Sequence, residues 1–436
     1  MDYKNQLINL INGKNAKIGV IGLGYVGLPL ALSFLDNGFD VIGFDIDTSK
    51  INKIKSGKSY INHIPSEKIK KSIESNKFNS TLDFSEISLV DVIVICVPTP
   101  LTKYRDPDLS YIFSTVDTIK PYLKKGQLIS LESTTYPGTT EDVILPSLEK
   151  IGFLVGENLF LIYSPEREDP GNKKYHTSNI PKVLGGTTSA CLKVGKKVYG
   201  SIVNDVISVS STKVAEMTKL LENIHRAVNI GLMNELKVLC DQMDIDLYEV
   251  IEAASTKPFG FVPYYPGPGL GGHCIPIDPF YLTWKAKEYD MHTRFIELAG
   301  EINSGMPKYV VSKTLDALND HGKSISKSKI LIIGLAYKKN VDDTRESPAL
   351  KIIQLLIEKG AEVAYSDPLV KIMPKTRKYN FNLVSTVLLP ENIKKFDATI
   401  LVTDHDSINY RQLQDHSKLI IDTRGRYKES KNVWRA

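Results

Sequence analysis

Lys17-Ile18-Gly19-Val20-Ile21-Gly22-Leu23-Gly24-Tyr25-Val26-Gly27-Leu28-Pro29-Leu30 is the stretch that decides the fold. A β-rich apolar pentapeptide runs into a glycine-spaced turn and then into an apolar helical segment. Val41-Ile42-Gly43-Phe44-Asp45 supplies the next strand and ends it on an acid. An isolated Gly-x-Gly-x-x-Gly is most often a chance turn. Here strand, helix and acid all stand where a dinucleotide turn needs them. Glycines permit the tight turn, the approach of backbone N–H groups to a pyrophosphate and close helix–strand packing, while the helix N-terminus favours the anion. A carboxylate at Asp45 would accept hydrogen bonds from the ribose hydroxyls and repel a 2′-phosphate, which predicts NAD rather than NADP.

Outward from that turn, buried-strand runs recur at Val90 to Val97, Gln127 to Glu132 and Phe160 to Tyr163, extending one parallel α/β domain over residues 1–210. From Ser211 the period changes. Met217, Leu221, Ile224, Val228, Leu232, Leu236 and Leu239 fall at steps of three and four, the stripe of one long amphipathic helix. A helical region with a Gly/Pro-rich loop, Pro263 to Pro279, fills 211–320. A second α/β pattern over 321–436 places strands at Lys329 to Gly334, Ala361 to Ser366, Ala398 to Val402 and Leu419 to Asp422. The second strand-turn, Gly334-Leu335-Ala336-Tyr337-Lys338-Lys339, lacks the glycine triplet, so no second dinucleotide is expected there.

Composition narrows the class. A chain of 436 residues with 42% hydrophobic and 24% charged side chains is folded and too long for one core. No apolar run reaches the roughly eighteen residues a membrane span needs, and Met1 to Asn15 does not form a signal-peptide core, so a cytoplasmic protein without a membrane partner is expected. The net charge of +5 is spread among interspersed Lys and Asp/Glu, with no basic run interleaved with aromatics, which argues against nucleic acid. The four cysteines, Cys96, Cys191, Cys240 and Cys274, form no C-x-x-C pair, so neither a disulfide framework nor a metal cluster is expected. Cys274 differs from the others. It sits in Gly267-Pro268-Gly269-Leu270-Gly271-Gly272-His273-Cys274-Ile275-Pro276-Ile277-Asp278-Pro279, where small residues let a ligand approach the sulfur. On the long helix Lys219, Asn223 and Arg226 form a polar stripe of the kind that usually faces solvent.

Taken together, Gly22 to Gly27, Glu132 to Thr139, Ser164 to Arg167, Ala215 to Asn223, the Cys274 loop and Asp343 to Pro348 resemble the UDP-glucose/UDP-mannuronate dehydrogenase family nearly end to end. Ser164 to Gly171, with Gly-Gly-His-Cys at the thiol, is similar to the branch that acts on N-acetylated sugars, UDP-N-acetylglucosamine 6-dehydrogenation in O-antigen, lipopolysaccharide and capsule biosynthesis foremost. UDP-N-acetylmannosamine or UDP-glucose is the alternative. The resemblance implies an α/β fold of two Rossmann-like parallel-sheet domains joined by a long central helix and a helical dimerisation domain, with a homodimer or higher homo-oligomer and a UDP-sugar in the C-terminal domain.

It further implies Cys274 as nucleophile, Lys219 and Asn223 as stabilisers of oxyanions on the sugar C6, Asp278 as a water-activating or lysine-pairing carboxylate, and Thr134 with Glu166 as holders of that water. NAD contacts fall to Gly22, Gly24, Tyr25, Val26, Gly27, Asp45, Lys50, Pro98, Thr99 and Thr134, with Arg345 at a position that meets either cofactor or substrate. Substrate contacts fall to Glu166, Arg167, Lys219, Asn223, Arg226, Tyr265, Gly271 and Lys338. His273 is read as packing or substrate shaping. One departure stands out: UDP-glucose enzymes supply an arginine from the neighbouring subunit in the loop before the cysteine, and Ser255 to Gly260 offers only Lys257. Two rival readings remain. A two-electron hydroxyacid dehydrogenase shares the Rossmann domain and a Lys-x-x-x-Asn helix but needs no thiol, and a silent sugar-binding regulator needs none either.

Overall fold

Parallel strands buried on both faces have to be largely apolar, as Val92–Ile95 and Phe160–Tyr163 are. The computed structural model describes residues 1–61, 64–167, 174–175, 177–272, 274–376, 378–428 and 430–436. The chain divides into two units, one formed by 1–222 with 280–291 and the other by 223–279 with 292–436.

In the first unit the strands are β1 (Lys17–Ile21), β2 (Asp40–Phe44), β3 (Phe78–Thr81), β4 (Val92–Ile95), β5 (Leu128–Leu131), β6 (Phe160–Tyr163), β7 (Lys182–Gly186) and β8 (Val206–Ser208). They form one sheet in the order β3-β2-β1-β4-β5-β6-β7-β8. The order reverses between β1 and β4, which opens a crevice beyond the carboxyl ends of the strands, where such sheets bind ligands. Register aligns those ends, since Ile21 lies beside Phe44 and Ile95, Ile95 beside Leu131, and Leu131 beside Tyr163. The turns after β1, β2, β4, β5 and β6 therefore share one end of the sheet. Val92, Ile93, Val94 and Ile95 are each 0% exposed, and burying each contributes about 1.5–3 kcal/mol. One step departs from the expected parallel sheet: β7 runs antiparallel to β6. Its sequence, Lys182 to Gly186, opens on a lysine and ends on two glycines, so the strand was not among those expected and its direction was not legible from composition.

In the second unit β9 (Lys329–Ile333), β10 (Glu362–Ser366), β11 (Ala398–Leu401), β12 (Ile420–Asp422) and β13 (Val433–Arg435) form a parallel sheet in the order β10-β9-β11-β12-β13. The acid after β10 is bonded to the chain's own groups. Asp367 is 1% exposed and accepts from Leu335 N, Ala336 N, Leu369 N and Val370 N and from His405 Nε2, so its oxygens tie its own turn to the turn after β9 and to the segment after β11.

The long helix runs Thr212–Gln242. Its stripe needs a correction, because Leu221, Leu232 and Leu239 are 48–58% exposed. The face that packs within the chain carries Ala215, Leu220, Ile224, Ala227 and Met233 instead. Periodicity reveals an apolar face without saying what covers it. In the second unit Asn303, on the helix Arg294–Asp320, donates to Ala227 O at 2.9 Å and accepts from Asn234 at 2.8 Å, locking two helices together.

Candidate active site

The turn after β1 opens the helix Gly27–Asp36. A Cβ on Gly24 would meet nothing within 4 Å, whereas one on Gly27 would lie 2.0 Å from the Gly22 carbonyl oxygen. Gly24 thus leaves room for a phosphate and Gly27 allows the helix to start against the strand. Tyr25 and Val26 complete the turn. Asp45 follows β2, is 5% exposed, and accepts from Leu23 N at 2.8 Å and Asp47 N at 2.9 Å. Lys50, on the helix Thr48–Lys55, lies 2.9 Å from Asp45 Oδ2. This ion pair was not foreseen, and it partly neutralises the acid. Pro98 and Thr99 follow β4, Thr99 buried and Pro98 exposed. Ser133 Oγ donates to Val97 O at 2.8 Å, which ties the half-buried Thr134 to this end of the sheet. The arrangement fits a dinucleotide with its pyrophosphate at the helix N-terminus and its ribose at Asp45.

Beside that turn, the ends of β5 and β6 carry polar groups buried together. Glu132 Oε2 accepts from Lys182 Nζ at 2.7 Å, and its other oxygen accepts the Tyr199 hydroxyl. Burial pushes the Glu132 carboxyl up against the pull of the Lys182 ammonium. Lys219 is 6% exposed, so the long helix's polar stripe is not simply a solvated face. Its Nζ donates to Glu166 O at 2.6 Å and lies 3.9 Å from Glu166 Oε2. Arg167 donates to Pro181 O and to Glu222 Oε1, each at 2.6 Å. Also on this helix, Glu216 accepts from Gly138 N, Thr140 N and Thr140 Oγ1, holding the segment after Thr134 from behind.

The second unit holds the thiol. Cys274 is half-buried, and its carbonyl accepts from Ile277 N at 3.0 Å and Asp278 N at 2.8 Å, a turn that delivers the chain into the helix Asp278–Ala286. A helix N-terminus favours negative charge nearby, as a thiolate requires. Asp278 is 2% exposed and its Oδ2 accepts from Asn223 Nδ2 at 2.5 Å; Asn223 is 5% exposed. Gly272 holds φ +84° and donates to Arg345 O at 2.9 Å, while a Cβ on Gly271 would strike Tyr337 Cβ at 2.5 Å. Gly271 therefore packs the loop against Tyr337. Of the other expected contacts, Arg226 and Tyr265 are exposed, Tyr265 stacking on Tyr248 at 6.4 Å, and Lys338 is half-buried. Arg345 forks onto Asp343 at 2.6 and 3.0 Å. Lys257 lies 5.0 Å above the Phe259 ring. His273 and Asp169-Pro170-Gly171 lie outside the described residues. Among the described residues no cluster could hold a metal ion, and no helix is long and apolar enough to cross a membrane.

Three family models match in succession: the UDP-glucose/GDP-mannose dehydrogenase NAD binding domain over 16–203, the central domain over 213–305 and the UDP binding domain over 331–429. This chain belongs to the UDP-glucose/GDP-mannose dehydrogenase family. The UDP-N-acetyl-D-glucosamine 6-dehydrogenase of Pseudomonas aeruginosa is 35% identical over 408 residues, covering 93% of this chain and 94% of its own. The UDP-N-acetyl-D-mannosamine dehydrogenase of Methanococcus maripaludis C7 is also 35% identical, over 433 residues, covering 96% and 94%. The solved structure of a UDP-D-ManNAc dehydrogenase from Pyrococcus horikoshii superposes with a TM-score of 0.86 at 34% identity, covering 96% of this chain and 98% of that one.

As a member of the UDP-glucose/GDP-mannose dehydrogenase family the chain is an NAD-dependent UDP-sugar 6-dehydrogenase. Asp45→Ala should weaken NAD binding roughly tenfold to a hundredfold, the worth of hydrogen bonds to a charged acceptor. It should also raise NADP affinity, because Lys50 loses its carboxylate and becomes free to meet a 2′-phosphate. Titration of both cofactors checks this, and an unchanged NAD affinity would mean the cofactor has been placed wrongly.

Sequence reading missed Lys182, Tyr199 and Glu216. Lys182 opens an apolar strand and looks like a solvated strand end, and Glu216 sits in a helical pattern where an acid is ordinary. A charged residue bordering two apolar runs at once, as at Glu132 and Lys182, is the one signal that could have paired them.

Proposed function

We propose that this chain performs the four-electron oxidation of the C6 hydroxyl of a UDP-N-acetylhexosamine, UDP-N-acetyl-D-glucosamine, to the uronate through a thioester on Cys274. Its product is a UDP-linked uronate of the kind surface polysaccharides incorporate, made in the cytoplasm. The observation that carries the reading is the thiol itself, set in a glycine loop at a helix N-terminus whose first residue, Asp278, is buried and bonded to Asn223. A two-electron dehydrogenase or a binding module has no use for it.

The chemistry follows from those groups. The Gly22 to Gly27 turn and Asp45 would hold NAD, which would supply the hydride acceptor for each of the two oxidations. After the first oxidation the Cys274 thiolate adds to the C6 aldehyde, forming an S–C bond and a thiohemiacetal oxyanion. The Lys219 ammonium stabilises that oxyanion by charge, and an Asn223 amide hydrogen adds a neutral donor. Loss of the second hydride leaves the thioester. Water, held through Thr134 and Glu166 and activated at Asp278, then breaks the S–C bond and returns the thiol. The balance is one alcohol, two NAD and one water giving one carboxylate, two NADH and three protons.

The choice of an N-acetylated sugar is supported by relatives whose names specify UDP-N-acetylglucosamine and UDP-N-acetylmannosamine at equal identity. Arg167, one of the expected substrate contacts and part of the Ser164 to Gly171 segment that resembles the N-acetyl branch, donates to Glu222 and Pro181, which leaves it fewer donors for an acetamido group. Specificity constants for UDP-N-acetylglucosamine, UDP-N-acetylmannosamine and UDP-glucose test it. The first should exceed the third by roughly tenfold to several hundredfold, because a site built for an amide leaves polar groups unpaired around a hydroxyl. Equal constants refute the N-acetyl assignment, a higher constant for the manno sugar moves it to that configuration, and one NADH per sugar refutes the four-electron reaction.

We also infer a homodimer. In the second unit Leu232 and Leu239 on the long helix and Phe295 and Leu298 on Arg294–Asp320 are 48–79% exposed, an apolar surface that a second copy would cover. Sedimentation at micromolar concentration should show two chains per particle, and a monomer would end the idea.

A further inference from the structure

Glu132 and Lys182 have no part in the chemistry above, yet they are joined to the segment that carries Glu166. Lys182 Nζ, besides its 2.7 Å bond to Glu132, lies 3.5 Å from Pro165 O, and the carbonyl of the preceding Pro181 accepts from Arg167 at 2.6 Å. From the other side the long helix grips the same segment, Lys219 on Glu166 O and Glu222 on Arg167, each at 2.6 Å. Pro165, Glu166 and Arg167 are thus each tethered, with the start of β7 on one side and the long helix on the other. Glu132 is fixed in turn, because the Tyr199 hydroxyl that bonds it also bonds Ser130 Oγ at 2.7 Å, while Lys182 lies 4.8 Å over the Tyr199 ring.

Such a pair is expensive. The side chains of Glu132 and Lys182 are 1% and 10% exposed, and replacing a buried ion pair by apolar residues is often neutral or stabilising. The Tyr199 hydroxyl that bonds Glu132 has Ser130 Oγ as a second partner, so stability alone does not call for the charged pair. We propose that Glu132 and Lys182 are a positioning pair for the dehydrogenase reaction: they fix the path of Pro165–Arg167 and, through it, the placement of Glu166 and Lys219. This rests on the reading of Glu166 and Lys219 as groups that act on the sugar. Neither member of the pair touches substrate.

The test compares Lys182→Met, Lys182→Arg and the double variant Glu132→Gln/Lys182→Met with the wild-type enzyme, in kcat, KM and thermal midpoint. Lys182→Met leaves a carboxyl buried without its cation and should lower the midpoint. The double variant removes both charges and should recover most of that loss, while kcat stays down about ten- to a hundredfold, the scale of a small misplacement of reacting groups. KM should change by much less than kcat, because the displaced groups act mainly on charge that develops during the reaction. Lys182→Arg, which keeps the cation, should retain most of kcat. A double variant that regains kcat together with its stability overturns the proposal, as does a Lys182→Arg enzyme as slow as Lys182→Met. Wild-type turnover measured alongside separates failure of the pair from failure of the proposed function.

Discussion

Replacing Cys274 by Ala should lower uronate formation by roughly three orders of magnitude or more, the scale on which loss of a covalent nucleophile acts. NAD and UDP-sugar binding should be nearly unchanged, because the thiol makes its bond only after the first oxidation and contributes little to the ground state. The substitution is mild for the fold: Cys274 is half-buried, and the hydrogen bonds of its turn run through its backbone carbonyl to Ile277 and Asp278. Product analysis by mass spectrometry and binding of both ligands by calorimetry check the two halves of the expectation. Turnover retained above a few per cent would sink the thioester route. Asp278→Asn, which impairs activation of the hydrolytic water, should in turn let a sugar-nucleotide adduct accumulate on Cys274, visible in the mass of the intact protein.

The ease with which the fold was read has a simple cause. Strands such as Val92–Ile95 and Ile330 to Ile333 are buried on both faces and so are apolar at every position, and a glycine triplet between such a strand and a helix has few other uses. The sheet's strand order was not read from sequence, because turns at the carboxyl ends of parallel strands gather at one end whatever the order. The reversed β7 was not legible, since hydrogen-bonding direction leaves no trace in side-chain pattern. Nor could the outward stripe of the long helix be told from a core-facing one. Leu232 and Leu220 look alike in a sequence, yet one is 48% exposed and the other 0%.

Within the site, residues with a chemical peculiarity stood out, Cys274 by its loop and Asp45 by its place after a strand. Their partners did not. Lys50 beside Asp45 changes the electrostatics of cofactor choice, and Asn223 bonded to Asp278 commits one amide hydrogen that had been assigned wholly to the sugar. Both pairings arise from side-chain reach in the folded chain, so spacing carries little sign of them. The buried Glu132–Lys182 pair lies further still from anything a motif records, its members fifty residues apart in sequence.

Lys219→Met should lower kcat by about a hundred- to a thousandfold with a small change in KM, the loss expected when one preorganised donor to an oxyanion is removed. Methionine keeps the length of the side chain, which matters because position 219 is 6% exposed. What it lacks is the ammonium that donates to Glu166 O at 2.6 Å and stands 3.9 Å from the Glu166 carboxylate. Two roles for that ammonium predict different things. If Lys219 only relays the proton of the first oxidation, the Lys219→Met enzyme should oxidise a supplied UDP-sugar 6-aldehyde at nearly the wild-type rate. If it stabilises the oxyanion of the thiohemiacetal, oxidation of the aldehyde should fall as steeply as that of the alcohol. We expect the second result, since a thiohemiacetal oxygen must carry charge as hydride leaves and Asn223, with one amide hydrogen engaged by Asp278, offers only a neutral donor. Full-rate aldehyde oxidation by Lys219→Met would leave Lys219 with a proton-transfer role alone.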